Sequence, residues 1–466
     1  MATPNIVQGA VMAVTMMIAG IIGTISGRHV KDSRDFAVSG QKAGALVLTG
    51  MLMGIVGGAA TVGAAQLAFE YGLTGWCFTL GGGIACLAMG LFYAGPLRRS
   101  GAETIPEYIS STYGPAIRIV TGTIATLAMF IQVVGQILSS VALLKTTFGI
   151  ESSVAIFLSV GLMVAYVLFG GAWGAGMVGI VKSILIYFTL AVAGVTAYRL
   201  SGGFEGLKNA FPSYPWLNLL GRGLDKDGAG LIAVIIGLLS TQTYLQVMFA
   251  GRDIATCRKA AFLSAVLIPP TGLASVLVGM YMRINHPGIE SAYALPAFFL
   301  QYTNPVVGGM AIAALILAVV GTGAGLALGM SLMIAKDIYG RLLRKKAGDR
   351  EILFVSRAAV VAILLLSIFF AKTNLKSIIL SWAYLSMAIR GSSIFLLLVV
   401  AMYTHSKFPY WVGVVGATAG PLAILFNKAL LPSGPDSIYI GITASTLALA
   451  VSVAIASMYT RTRNFK

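Results

Sequence analysis

Charge is what this sequence has least of. Only 10% of its 466 residues are Asp, Glu, Lys or Arg, whereas a soluble domain carries about 25% and covers its surface with them. A water-soluble globular protein is therefore excluded. Acids are the scarcer sign, 15 against 32 cations. The acid nearest a span in character is Glu70, near a span end, and no Ser/His, Cys/His or His/Glu cluster accompanies it, which excludes an enzyme working at membrane depth. Cysteine is nearly absent. Cys77, Cys86 and Cys257 have no metal-ligand spacing and read as small core or lipid-facing residues. His29, His286 and His405 fall in loops, so no resident metal or cofactor is expected beyond a coupling ion. No basic run precedes the first apolar segment, which reads as a span and not as a cleaved signal. Rings of like charge and repeated pore loops are also missing, which argues against a channel. The two sizeable polar breaks, 202–228 and 336–357, are too short for a soluble domain, so residues 1–466 read as one membrane domain.

What is present is apolar sequence. The hydrophobic fraction is 58% and the mean hydropathy +0.89, and runs of about 20 apolar residues, enough to cross a bilayer, recur throughout. About 13 spans are expected, near 4–26, 43–71, 75–97, 116–146, 152–171, 174–200, 229–250, 258–284, 304–336, 353–373, 377–402, 409–430 and 437–460. A short apolar stretch at 292–302 reads as a half-helix. One alternating set of loops holds roughly 22 cations and the other roughly 9. The rich set contains Arg28, Lys31 and Arg34; Arg98 and Arg99; Arg252, Arg258 and Lys259; Lys336, Arg341, Arg344, Lys345, Lys346 and Arg350; and Arg461, Arg463 and Lys466. The positive-inside rule then puts the N-terminus outside and the C-terminus in the cytoplasm of an inner membrane. The net charge of +17 reads as a topology signal whose partners are anionic lipid headgroups, and nucleic acid is not expected.

Irregular backbone survives in a bilayer only where protein or a cavity receives it, and interrupted spans point to transporter sites. The second span offers Met53-Gly54-Ile55-Val56-Gly57-Gly58-Ala59-Ala60-Thr61. Glycine eases departure from helical geometry there, although a tight helix contact fits as well. In the seventh span every residue from Ser240 to Gln246 except Leu245 is polar, more than one interhelical hydrogen bond needs. Five spans begin with each break, which suggests two inverted repeats, 43–200 and 229–402. The ninth span carries Gly321-Thr322-Gly323-Ala324-Gly325, whose Thr322 hydroxyl suits a hard cation or its own helix backbone.

Three patterns then carry a resemblance. They are the glycine-rich Gly57–Gly75 helix ending Ala-Phe-Glu-Tyr-Gly-Leu-Thr-Gly, the Arg98–Tyr108 loop with Thr104-Ile105-Pro106-Glu107-Tyr108, and Gln242–Lys259 followed by Lys336-Asp337-Ile338-Tyr339. In this order they resemble the sodium:solute symporter family over nearly the whole chain. The resemblance implies an all-α, LeuT-like core of five plus five inverted helices with one extra N-terminal and two extra C-terminal helices. It also implies alternating access and a sodium site using the backbone carbonyls near Met53 and Val56. Where the family offers two adjacent hydroxyls this chain has Gly321 and Thr322. Where many members have an acid and, three residues on, a glutamine, it has Gly179 and Lys182. The Lys182 ammonium snorkels to the headgroups, makes a structural bond, or takes the ion position, which would make coupling protonic or remove it.

Arg390 sits in mid-span, where an arginine costs about 2.5–3.5 kcal/mol and is functional by default. Its partner is a helix end, the Gln132/Gln136 pair, or the carboxylate of a solute. Gly57, Gly58, Thr61, Gln132, Gln136, Ser240, Thr241, Gln242, Tyr244 and Arg390 are the expected substrate-site residues. Met53, Val56, Gly321, Thr322 and Lys182 are the expected ion-site residues. Phe69 and Tyr71 suit a lid, Trp216, Tyr214 and Trp411 interfacial anchoring. The expected function is import of a small organic solute, a carboxylate or amino acid, by sodium symport. The alternatives are a proton-coupled or ion-independent carrier using Lys182, or a sensor that binds without transporting. The sequence sets no oligomeric state.

Overall fold

The computed structural model describes residues 4–27, 42–344, 347–404, 406–430 and 435–464. Arg28, His29, Lys31, Arg34, Lys345, Lys346, His405 and Lys466 lie outside them, as do the side chains of Arg341, Arg461, Arg463 and residues 169–178. The described chain is helical: α1 Ile6–Gly27, α2 Ala45–Leu52, α3 Ala64–Tyr71, α4 Cys77–Ala88, α5 Ile105–Tyr113, α6 Ala116–Phe148, α7 Ser152–Leu200, α8 Ala229–Leu238, α9 Gln242–Ala250, α10 Ile254–Asn285, α11 Pro305–Leu332, α12 Asp349–Thr373, α13 Ile379–Tyr403, α14 Tyr410–Leu430 and α15 Ser437–Asn464. Among the described residues nine helices are long and apolar enough to cross a membrane, ten if the bent α8–α9 pair counts as one. The expected segments 152–171 and 174–200 fall within the single helix α7. The short stretch at 292–302 forms a 3-10 turn and the helix Ala294–Tyr302.

Burial sorts the helices into hub and rim. The apolar windows of α6 and α11 are 83% and 89% buried, those of α12 and α15 only 22% and 28%. A helix apolar on all sides belongs in a core or in lipid; α6 and α11 take the first place, α12 and α15 the second.

The two expected breaks are there. α2 tightens into a 3-10 turn at Met53–Ile55, leaves helical geometry at Val56 (φ −80, ψ 79) and re-forms as a π-turn at Ala59–Gly63 leading into α3. α8 stops at Leu238, Thr241 is extended (φ −100, ψ 121), and α9 departs at 40°. At the broken helices' far ends, Ala43 pairs in a short parallel bridge with Gly251, through Ala43 N–H on Ala250 O and Arg252 N–H on Ala43 O, each 3.2 Å.

The cation-rich face is latched by α5. Thr104 caps it, accepting from Glu107 N–H at 3.2 Å, with Pro106 in its first turn, where a missing N–H costs nothing. The buried Asp337 carboxylate holds Arg118 at 2.7 Å and accepts from the Thr104 hydroxyl at 3.2 Å, and Lys336 pairs with Glu103. Arg118 has 7% of its side chain exposed. Breaking a buried pair costs about 3–5 kcal/mol because the surviving charge stays uncompensated. Asp337→Asn is therefore expected to lower the thermal midpoint of the purified protein by several degrees, and an unchanged midpoint would show the latch to be dispensable. On the opposite, cation-poor face, Asp227 accepts from Thr74 at 2.5 Å and Arg222 at 2.7 Å. The Arg222 guanidinium lies 5.2 Å from the Tyr71 ring centre.

Candidate functional site: a lysine in a broken helix and a buried arginine

The unwinding at Val56 frees carbonyl oxygens that a continuous helix would use. Met53 O still accepts from Val56 N–H at 3.0 Å, but it also accepts from Lys182 Nζ at 2.9 Å, and Val56 O accepts from the same ammonium at 3.2 Å. Lys182 is only 3% exposed. Its ammonium turns inward onto the carbonyls and does not run along α7 to the surface. A third oxygen, Gly54 O, accepts from the Thr322 hydroxyl of α11 at 2.7 Å. Beside them lies a cavity of about 40 Å³ that touches both broken helices, lined in part by Gly54, Tyr166, Lys182, Thr243, Tyr244 and Thr322. By this measure a water needs about 10–15 Å³, so the cavity holds a few waters.

The second half of the constellation lies along α6 and α13. Gly58 N–H donates to Gln136 Oε1 at 2.9 Å. One helical turn away, Gln132 Oε1 accepts from the Arg390 guanidinium, and Arg390 Nη1 donates to Ser386 Oγ at 3.1 Å. Arg390 is fully buried. Its Nε has no hydrogen-bond partner, and no carboxylate among the described residues pairs with it. Both acceptors are neutral, so the charge stands without a counter-anion at the contact between the two helices.

The sequence pattern of the sodium:solute symporter family matches residues 36–408. The chain belongs to that family. Similar members include the sodium/proline symporter of Escherichia coli, 24% identical over 405 residues, covering 78% of this chain and 76% of that protein. Another is the osmoregulated proline transporter of Bacillus subtilis, 22% identical over 379 residues, covering 75% and 74%. Among solved structures, a Na+-coupled sialic acid symporter in a substrate-bound outward-open state superposes with a TM-score of 0.80 at 16% identity, covering 97% of this chain and 98% of that one; the overall fold is shared.

Against the pattern that the family resemblance implies, one of the two departures of this symporter-family chain has a steric cause. A Cβ on Gly321 would make ordinary contact with Tyr166, whose hydroxyl lies 3.4 Å from the place, so packing does not demand glycine there. A Cβ on Gly179 would strike the backbone carbonyl of Gly50. That glycine lets α7 press against α2, one turn before Lys182, which brings the ammonium within reach of Met53 and Val56.

The other expected residues divide. Thr61 donates to Gly57 O at 2.9 Å, Ser240 to Ile236 O at 2.8 Å and Thr241 to Gly237 O at 2.5 Å, so these hydroxyls mend their own irregular helices. Gln242 is turned away from the hollow. Its Oε1 accepts from Ile105 N–H at 2.8 Å and its Nε2 donates to Glu103 O at 3.0 Å, because the unpaired N–H at the start of α5 needs an acceptor. Tyr244 lines the small cavity. Phe69 is buried and Tyr71 37% exposed. Arg283 lies 5.3 Å from the Phe69 ring centre and 6.0 Å from that of Trp216, so the aromatic cover involves a cation that the sequence reading did not single out. Tyr166 and Ser386 were also missed. Ser386 was findable, one turn before Arg390 on the same helix face. Tyr166, one aromatic among many in an apolar helix, carried no signal.

The close approach at Gly57 gives a local test. A Cβ there would overlap the Thr322 side chain, with its Cγ2 at 2.9 Å. Gly57→Ala is expected to cut uptake about five- to 100-fold, since overpacking costs about 1–3 kcal/mol. Adding Thr322→Gly should recover part of it. Full uptake by the single variant would contradict the close packing.

Proposed function

We propose that this family member is a secondary carrier that takes up a small carboxylate-bearing solute by alternating access, with the Lys182 ammonium standing where relatives place sodium. One observation carries the reading: Lys182 Nζ donates to Met53 O and Val56 O, the carbonyls that the family resemblance assigns to the ion. A fixed cation then holds the broken helix together in place of a diffusible one. Arg390 supports the carboxylate. A buried guanidinium needs an anion or costs several kcal/mol, and its planar fork fits a carboxylate. Proline and sialic acid, the solutes named for relatives, both carry that group. The reading includes five-plus-five inverted repeats beginning at α2 and α8, about 13 spans, an outer N-terminus and a cytoplasmic C-terminus.

Counterflow in proteoliposomes with labelled amino acids and monocarboxylates, with and without sodium, tests it. Exchange of a carboxylate at equal rates in both conditions is the expected result. Strict sodium dependence would return the ion to the solution, as in the Na+-coupled relative, and solute binding without exchange would indicate a sensor.

A further inference from the structure

A second cavity, of about 130 Å³, opens on the cation-poor face and shares no lining residue with the small cavity beside Lys182. It lies between the end of α6, the 290–293 turn and the start of α13, and its charged lining residues are Lys145, Lys376 and Glu290. Two lysines and one glutamate line it, a net positive mouth. Lys145 lies 5.7 Å from the centre of the Tyr293 ring. This face holds roughly 9 cations against 22 on the other, so the topology rule that explains most lysines does not explain two at one opening.

The cavity also has a direction. Its floor includes Leu138 of α6 and Ile379 of α13. Ile379, Ala383, Ser386 and Arg390 follow one another at helical spacing on one face of α13, and Ser386 and Arg390 reach α6 at Ala128 O and Gln132. The opening is therefore the outer end of the α6–α13 seam in which Arg390 lies. At about 1.5 Å per residue, Ile379 stands about 16 Å above the arginine.

We propose that this mouth is a first binding station for the transported carboxylate, which Lys145 and Lys376 attract and hold before it descends the seam to Arg390. The inference rests on the carboxylate reading above. Clefts lined by one sign of charge raise the local concentration of the opposite ion and its rate of entry by 10-fold or more. Glu290 opposes the effect and sets its size.

The test is initial uptake by intact cells or oriented vesicles over a range of solute concentration and ionic strength. Lys145→Gln with Lys376→Gln is expected to raise the half-saturating concentration about five- to tenfold, leave the maximal rate unchanged and flatten the salt dependence. The double arginine variant should behave as wild type, and Glu290→Gln should lower the half-saturating concentration. The glutamate variant keeps the test decisive if the double glutamine variant does not fold. An unchanged half-saturation and salt slope in the glutamine or glutamate variants would overturn the station while wild-type carboxylate uptake persisted. Failure of the wild type to take up any carboxylate would instead overturn the functional reading beneath it.

Discussion

On the proposed scheme, replacing Lys182 with alanine is expected to turn sodium-independent uptake into uptake that requires sodium. The side chain closes two buried carbonyls, Met53 O and Val56 O, and a buried acceptor left without a donor costs about 1–3 kcal/mol. Met53 O keeps Val56 N–H, so the loss falls on Val56 O and corresponds to a fall of about five- to 100-fold at about 1.4 kcal/mol per factor of ten. The alanine leaves an empty place ringed by those oxygens, with Gly54 O and the Thr322 hydroxyl beside it. Hard oxygen ligands of that kind suit a small cation. Sodium, or a short alkylammonium ion, should therefore restore part of the rate to Lys182→Ala. Lys182→Met fills the space with an apolar chain and should stay inactive with either. Wild-type rates from the alanine variant in sodium-free medium would show that the ammonium holds nothing the transport cycle needs.

Arg390→Met is expected to abolish carboxylate uptake, by about 100-fold or more, without lowering the thermal midpoint. The two effects separate because the guanidinium has neutral partners only, Gln132 and Ser386. A buried cation without an anion contributes little to the empty fold, and apolar replacement of such groups is often neutral or stabilising. Charge-assisted bonds to a carboxylate, at about 1.5–3 kcal/mol each, are lost together when a bidentate pair goes. Arg390→Lys should fall between, since a point charge keeps the attraction and loses the fork. Carboxylate uptake at the normal rate by the methionine variant would dismiss the arginine as the recognition group. A midpoint that drops sharply would make it a structural tie.

The breaks were legible because their cause is local. The polar run from Ser240 points to irregular backbone by composition, Gly57-Gly58 allowed it beside a tight helix contact, and the structure unwinds at Val56 and at Thr241. The Thr104 cap of α5 rests on the same short-range chemistry, its hydroxyl accepting from Glu107 N–H three residues on. What could not be read depends on helix rotation and on contacts far apart in sequence. Lys182 lies about two turns into its span, where an ammonium can reach headgroups or turn inward. Only the approach of α7 to α2 through Gly179 and Gly50 decides between them. Gln242 looked like its polar neighbours, but both ends of its amide are taken by residues 103 and 105. Arg390 had three open partners in the sequence, and Gln132 is the one in contact.

The covalent attachment of the ammonium to the chain has a thermodynamic consequence. An ion taken from solution is released on the far side, and its descent down a gradient does work on the solute. A lysine crosses with every half-cycle and comes back, so its charge does no net work. On this scheme the carrier can only equilibrate its solute, or exchange one for another, unless Lys182 loses its proton on one side and regains it on the other.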